Sequence, residues 1–257
     1  MPKHIIFILL LICTSHISLT HAQTPKDASG VVYEDGYLYI VGNKSNRYIF
    51  KYNVDITTLE VSKTPKIKLN KSLKITKRKA KDLEGIALLN GQPVALSENS
   101  CKVYTDKRVL MNYSTIGETE ERHNKGLEGL AIENIDNNSS KVATLWEGGW
   151  HDQSVYNPFI IIHSLKHDLE NEAGILYEDH EVFRLDQNAL DHDLRHRVLD
   201  STDTETILGF RAPELLWYDS SLIILLVVDW DKYYHRRWLC KIDNTSDGYE
   251  ITDYCEL

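Results

Sequence analysis

Six carboxylates recur along the chain in an arrangement that can do chemistry. Glu84, Glu128 and Glu214 each stand at the head of an apolar run, and a second acid follows the next run: Glu98, Glu147 and Asp229. The midpoint of the first pair is residue 91, on the turn signal Asn90-Gly91. That of the second falls between Asn137 and Asn138, and that of the third between Ser221 and Leu222, beside Asp219-Ser220. Residues equidistant from an antiparallel turn lie side by side, so each pair is expected at one end of its hairpin, with six carboxylates toward one face. One acid pair at strand ends satisfies loop N–H groups or faces water, whereas three in register point to a pocket. Converging carboxylates repel unless one is protonated or a cation is bound. An all-oxygen set of this kind suits calcium.

Other reactive groups are sparser. His151 follows Glu147 on a loop hinged by Gly148-Gly149, which makes it the first general-base candidate; a surface loop histidine is the plainer alternative. Arg211 precedes Ala212-Pro213-Glu214 and is expected to pair with a neighbouring Glu or to bind an anion. Trp230, Tyr233, Tyr234, His235 and Arg236 follow Asp229 and suit an organic or phosphorylated ligand, or pack a loop. His192 and His196 lie four apart beside Asp191 and Asp193, a pattern read as a solvated helix face. There is no Gly-x-Ser-x-Gly elbow, HExxH pair or Walker glycine loop.

The elements that must position these groups read as strands. Short β-branched and aromatic runs at 31–33, 37–41 and 48–52 are separated by Asp35-Gly36 and Gly42-Asn43, and Asn90-Gly91 joins 86–89 to 94–96. Continuous apolar runs at 159–162 and 222–228 suit strands buried on both faces. One helix is expected between residues 186 and 200, from Leu190, Leu194 and Val198. The segment 63–81 carries nine Lys or Arg and no acid, and reads as outer strands with a solvated basic face. A repeat orders the whole. Asp82-Leu83-Glu84-Gly85-Ile86-Ala87 returns as Gly126-Leu127-Glu128-Gly129-Leu130-Ala131, 44 residues on, and more weakly as Ala212-Pro213-Glu214-Leu215-Leu216 after 86 more, close to two further periods. Such periods belong to β-propeller blades of four strands. The expectation is an all-β propeller of four to six blades, five best fitting the length. Blades start near Gly30, Glu84, Glu128 and Glu214, and the innermost strands bring Glu84, Glu128 and Glu214 to the channel.

These blade starts carry a resemblance. Leu-Glu-Gly-Ile/Leu-Ala, Ser97-Glu98, Asn124-Lys125-Gly126-Leu127-Glu128-Gly129 and Arg211-Ala212-Pro213-Glu214 resemble the phytase-like, esterase-like β-propeller family and the SdiA-regulated propellers of exported bacterial proteins. The resemblance spans residues 28–257 and implies esterase or phosphoesterase activity. Calcium-dependent lactonase propellers also place a Glu before Gly at the channel mouth, and by that likeness Glu84 and Glu128 are the foremost ligand candidates. The first blade, at Ser29-Gly30, lacks the acid, and the last has Leu215 in place of the glycine.

Composition bounds the rest. A chain of 257 residues, 42% hydrophobic and 26% charged, is globular, and a net charge of -9 argues against nucleic acid as partner. Lys3 and His4 precede an apolar run at 5–12, and Thr20-His21-Ala22 ends a stretch that reads as a signal peptide over 1–22. The domain is then 23–257, secreted or periplasmic, monomeric and without a membrane span. Cys101, Cys240 and Cys255 remain after cleavage. Cys240 and Cys255 flank the turn 244–248 and are expected to lie across from each other, in reach of a disulfide, with Cys101 left over. Asn43, Asn70, Asn112, Asn137, Asn138 and Asn244 open glycosylation sequons, of consequence only in a host that glycosylates its exports. The functional expectation is a calcium-assisted hydrolase of a small ester, lactone or phosphoester, with Glu84, Glu128 and Glu214 as ligands. The competing expectation is a non-catalytic propeller that binds a protein or glycan through its top face.

Overall fold

The computed structural model describes residues 28–42, 48–55, 57, 60–63, 67–68, 82–106, 108–113, 126–151, 154–167, 175–185, 209–229 and 235–257. They form a β-propeller of four blades, each an antiparallel sheet built from strands in chain order. Blade 1 is β1 (Ala28–Glu34), β2 (Tyr37–Gly42), β3 (Tyr48–Asp55) and β4 (Glu60–Lys63), with the short β5 (Ile67–Lys68) also paired to β3. Blade 2 is β6 (Leu83–Leu89), β7 (Gln92–Ser97), β8 (Lys102–Tyr104) and β9 (Val109–Asn112). Blade 3 begins with β10 (Leu127–Asn134) and β11 (Ser139–Trp146). A two-stranded ribbon, β12 (Gly149–His151) and β13 (Ser154–Tyr156), then precedes β14 (Phe159–His167) and β15 (Ile175–Arg184). Blade 4 is β16 (Gly209–Tyr218), β17 (Ser221–Asp229), β18 (His235–Thr245) and β19 (Gly248–Glu256).

The hairpins form where left-handed residues fall. Asp35-Gly36 and Asn90-Gly91 both adopt positive φ, as a two-residue type I′ turn requires. Asp219 and Ser220 take the same conformation without a glycine. The expected starts near Gly30, Glu84, Glu128 and Glu214 are the innermost strands β1, β6, β10 and β16. These pack side by side in sequence, β1 on β6, β6 on β10 and β10 on β16. Glycine permits the close approach at two of these contacts. A Cβ on Gly85 would stand 2.9 Å from the Leu130 backbone nitrogen, and one on Gly129 would stand 2.4 Å from Leu215 Cδ2.

The core lies between blades. Tyr39, Val41 and Ile49 of blade 1 bury against Leu83, Ile86, Ala95 and Tyr104 of blade 2. Leu96, Val103 and Met111 bury against Leu127, Val142 and Phe159 of blade 3. Ala143, Leu145 and Ile162 bury against Leu215, Leu222 and Trp238 of blade 4. Phe159, Ile160, Ile161 and Ile162 are all buried in the middle strand β14, as a run covered on both faces should be, whereas β17 alternates buried and half-buried residues from Leu222 to Leu226.

Two sequence expectations are corrected here. Blade 3 packs directly on blade 4, so the 86-residue spacing to the third repeat copy is one blade with insertions, not two periods. Four blades, within the expected four to six and one fewer than the length favours, account for the described residues. Part of the extra length goes into the β12–β13 ribbon and into strands of nine to eleven residues in blade 4. The second correction concerns the cysteines. The turn centres on Ser246 and Asp247, and a register shift between Lys241 and Ile242 sets Cys240 opposite Tyr254 and Cys255 opposite Leu239. One step of register moves a side chain to the other face. Cys240 is buried in the core, Cys255 is exposed, and no disulfide joins them. The helix expected over 186–200, the histidines His192 and His196, and residues 1–22 lie outside the described residues.

Candidate functional site

Each innermost strand carries a β-bulge at its start, between Ala28 and Gly30, Leu83 and Gly85, Leu127 and Gly129, and Arg211 and Glu214. A bulge adds one residue to one strand and re-aims its side chain. In blades 2 and 3 the extra residue is the repeated glutamate, Glu84 or Glu128. In blade 1 it is Ser29, whose hydroxyl donates to the Leu83 carbonyl beside Glu84.

The bulge also shifts which acids meet. Leu83 pairs with Ser97 and Gly85 with Leu96, leaving Glu84 between rungs and Glu98 one step beyond the ladder. There the Glu98 N–H donates to the Asp82 carbonyl at 3.1 Å, so Asp82 is the direct neighbour of Glu98. Asp82, Glu84 and Glu98 each bring a carboxylate oxygen within 4.8 Å of the other two. Glu84 is buried at 6% exposure, and its neighbours are half-buried. Asp82 holds a left-handed backbone (φ 74°), which Asp tolerates better than most residues. A turn holds Glu98: the Cys101 N–H donates to the Glu98 carbonyl at 3.0 Å, with Cys101 itself left-handed. Asp82 was legible in the repeat but masked by turn symmetry, which matched Glu98 with Glu84. Gly126 takes its place in the second copy.

Hydrogen bonds tie this rim from blade to blade. The Gly126 N–H donates to Glu98 Oε1 at 3.0 Å. The Glu147 N–H donates to the Gly126 carbonyl at 3.4 Å, and the Ala212 N–H donates to the Glu147 carbonyl at 2.8 Å. Gly126 has to be glycine, since a Cβ there would stand 1.8 Å from Glu98 Cγ. The Asn99 side-chain amide donates to Asp82 Oδ2.

Electrostatics single out two glutamates. Burial, and then the Asp82 and Glu98 carboxylates, push the Glu84 carboxyl up to about 8. Burial, and then Glu84 itself, push Glu214 of blade 4 up to about 8 as well. Glu128 and Glu147 stand half-buried at the matching positions of blade 3, outside the close trio. Asp229 is corrected: its partner in β16 is Gly209, while Glu214 faces Leu225, because the turn centres on Asp219 and Ser220 rather than two residues later. Arg211 lies in β16 opposite Val227, just before the bulge. His151 pairs with Ser154 in the ribbon, and the ribbon lies against β16. Trp230, Tyr233 and Tyr234 fall outside the described residues.

No family model matches the chain, and no curated protein matches it in sequence. Among solved structures, it is similar to an α-L-arabinofuranosidase (CtGH43) from Clostridium thermocellum ATCC 27405, with 12% identity and a TM-score of 0.47, over 91% of this chain and 73% of that one. It is also similar to a luciferin-regenerating enzyme, with 8% identity and a TM-score of 0.35, over 90% of this chain and 76% of that one. Likeness at this level says nothing of activity. Over its described residues the chain is an all-β propeller of four blades with a cluster of acids where an innermost strand begins.

Proposed function

We propose that this chain is an exported propeller that binds calcium at the head of its innermost strands and hydrolyses an ester, lactone or phosphoester there. One observation carries the reading: Asp82, Glu84 and Glu98 gather oxygens within 4.8 Å of one another around a buried carboxyl. Calcium–oxygen bonds are about 2.4 Å, so oxygens on opposite sides of one ion stand about 4.8 Å apart. The trio therefore fits a single first shell. Its chemistry fits too, since carboxylates crowded out of water are relieved by a hard cation. Asp82, Glu84 and Glu98 would hold the ion, which when bound supplies positive charge to polarise a substrate oxygen.

The surrounding residues supply the remaining roles. Glu214 keeps its proton near neutral pH and can protonate a leaving oxygen. His151 is the base candidate for activating water, and Arg211 is the anion-binding candidate. The resemblance of the blade starts to the phytase-like, esterase-like propellers supports the same reaction class, and the leader at 1–22 supports export.

The test is a thermal melt of the mature protein in EDTA and after calcium is restored, followed by a panel of ester, lactone and phosphoester substrates. A calcium-dependent rise in midpoint with calcium-dependent turnover is expected. A rise without turnover on any member would favour the propeller as a binding module for a protein or glycan. No rise, with no metal by elemental analysis, would end the calcium reading.

A further inference from the structure

The acids of the trio do not stand alone; two donors from the rim hold two of them. The Asn99 side-chain amide reaches Asp82 Oδ2, and the Gly126 backbone N–H reaches Glu98 Oε1 at 3.0 Å. Asn99 follows Glu98 directly in the turn closed by Cys101, so a single turn both presents one acid and grips the other. Gly126 belongs to the next blade and is spaced from Glu98 by less than any side chain would allow. A carboxylate held through one oxygen has the direction of its second oxygen set before any ligand arrives. A donor to each carboxylate also offsets part of their mutual repulsion.

We propose that Asn99 and Gly126 are positioning residues of the acid cluster, which aim Asp82 and Glu98 at a common divalent cation and so set its affinity. This rests on the calcium reading above. Asn99 is the residue to change, because it is exposed and its side chain can be removed without touching the core. In Asn99→Ala the carboxylate of Asp82 loses its grip while all three acids remain. Loss of such outer partners weakens metal binding by about 10- to 100-fold. Asn99→Gln, which keeps the amide one methylene further out, is expected to recover part of the affinity.

The experiment is calcium titration by calorimetry on the full mature chain, with melting in EDTA as a parallel readout. Calcium affinity at least tenfold weaker in Asn99→Ala than in wild type, with an unchanged melting midpoint in EDTA, is the expected result. Equal affinity in the two proteins would overturn the role of Asn99 while leaving the calcium reading in place. A lower EDTA midpoint that accounts for the whole loss would reduce Asn99 to a structural residue and also overturn it. A wild type that takes up no calcium would overturn both.

Discussion

Glu84 is the residue on which the chemistry turns, because burial and two like charges act on it together. In the unfolded chain its carboxyl ionises near 4.5, whereas in the folded, metal-free protein it does so near 8. Between those values the folded state binds more protons than the unfolded state, so stability falls as pH rises through that window. Glu214 adds a contribution of the same sign over the same range. Melting in EDTA from pH 5 to pH 8 should therefore show a falling midpoint, and Glu84→Gln should flatten it. The same variant should abolish the calcium-induced rise. A variant that still showed the rise would remove Glu84 from the ligand set. His163 works in the opposite sense. Burial, and then His180, hold its imidazole down to about 4 from 6.5, so stability is lost as pH falls through that interval. His163 lies 5.5 Å from both the Tyr113 and the His180 rings. His163→Phe should accordingly retain more of its neutral-pH stability at pH 4.5 than wild type does, as measured by urea unfolding at the two pH values.

At the scale of elements, the bulged innermost strands decide how closely blades approach. The glycines that follow the bulges are not equivalent. A methyl at Gly85 meets the Leu130 backbone, which cannot move without moving the strand, whereas a methyl at Gly129 meets the end of the Leu215 side chain, which can rotate. Gly85→Ala should cost about 1–3 kcal/mol by overpacking and Gly129→Ala clearly less, as read by chemical denaturation. Equal losses would mean that the contact between β6 and β10 yields as easily as a side chain does. The opposite end of the blades has its own tie. Asn134 accepts from the Asn90 N–H and the Ser140 hydroxyl, each at 3.1 Å, and donates to the Leu88 carbonyl at 3.3 Å. It thereby staples the blade 2 turn to blade 3. Asn134→Ala should lower stability by about 1–2 kcal/mol without altering calcium affinity, since it lies at the hairpin end and not at the acids.

For the whole molecule, calcium and folding are linked by mass action. An ion that binds only the folded propeller at about 100 times its dissociation constant adds about 2.7 kcal/mol. The rim bonds from Glu98 to Gly126, Glu147 and Ala212 run through blades 2, 3 and 4, so cation binding at blade 2 should protect all three. Hydrogen exchange should slow at β10 and β16 as well as at β6 when calcium is added. Protection confined to β6 and β7 would mean that the rim does not transmit the ion's effect.

Much of this architecture is legible in the chain because it is local. Asn90-Gly91 and Asp35-Gly36 specify turns through their own backbone preferences, and the Leu-Glu-Gly repeat marks innermost strands because a bulge and a close contact recur with each blade. Glu84 and Glu214 could be named from that repeat, and Glu98 from its place after the next apolar run. Register is different, since a single inserted or shifted residue leaves composition and spacing almost unchanged yet turns a side chain to the other face. For that reason only the tertiary structure brought Asp82 into the trio, moved Asp229 opposite Gly209 and set Cys240 and Cys255 on different sides of blade 4. It likewise decided the number of blades, because whether 86 residues make one blade or two depends on which apolar faces meet. The sequence by itself determined a chain of antiparallel hairpins with an acid at the head of most blades. The bulged register of the β6–β7 hairpin, which no spacing in the sequence encodes, decided which of those acids stand together.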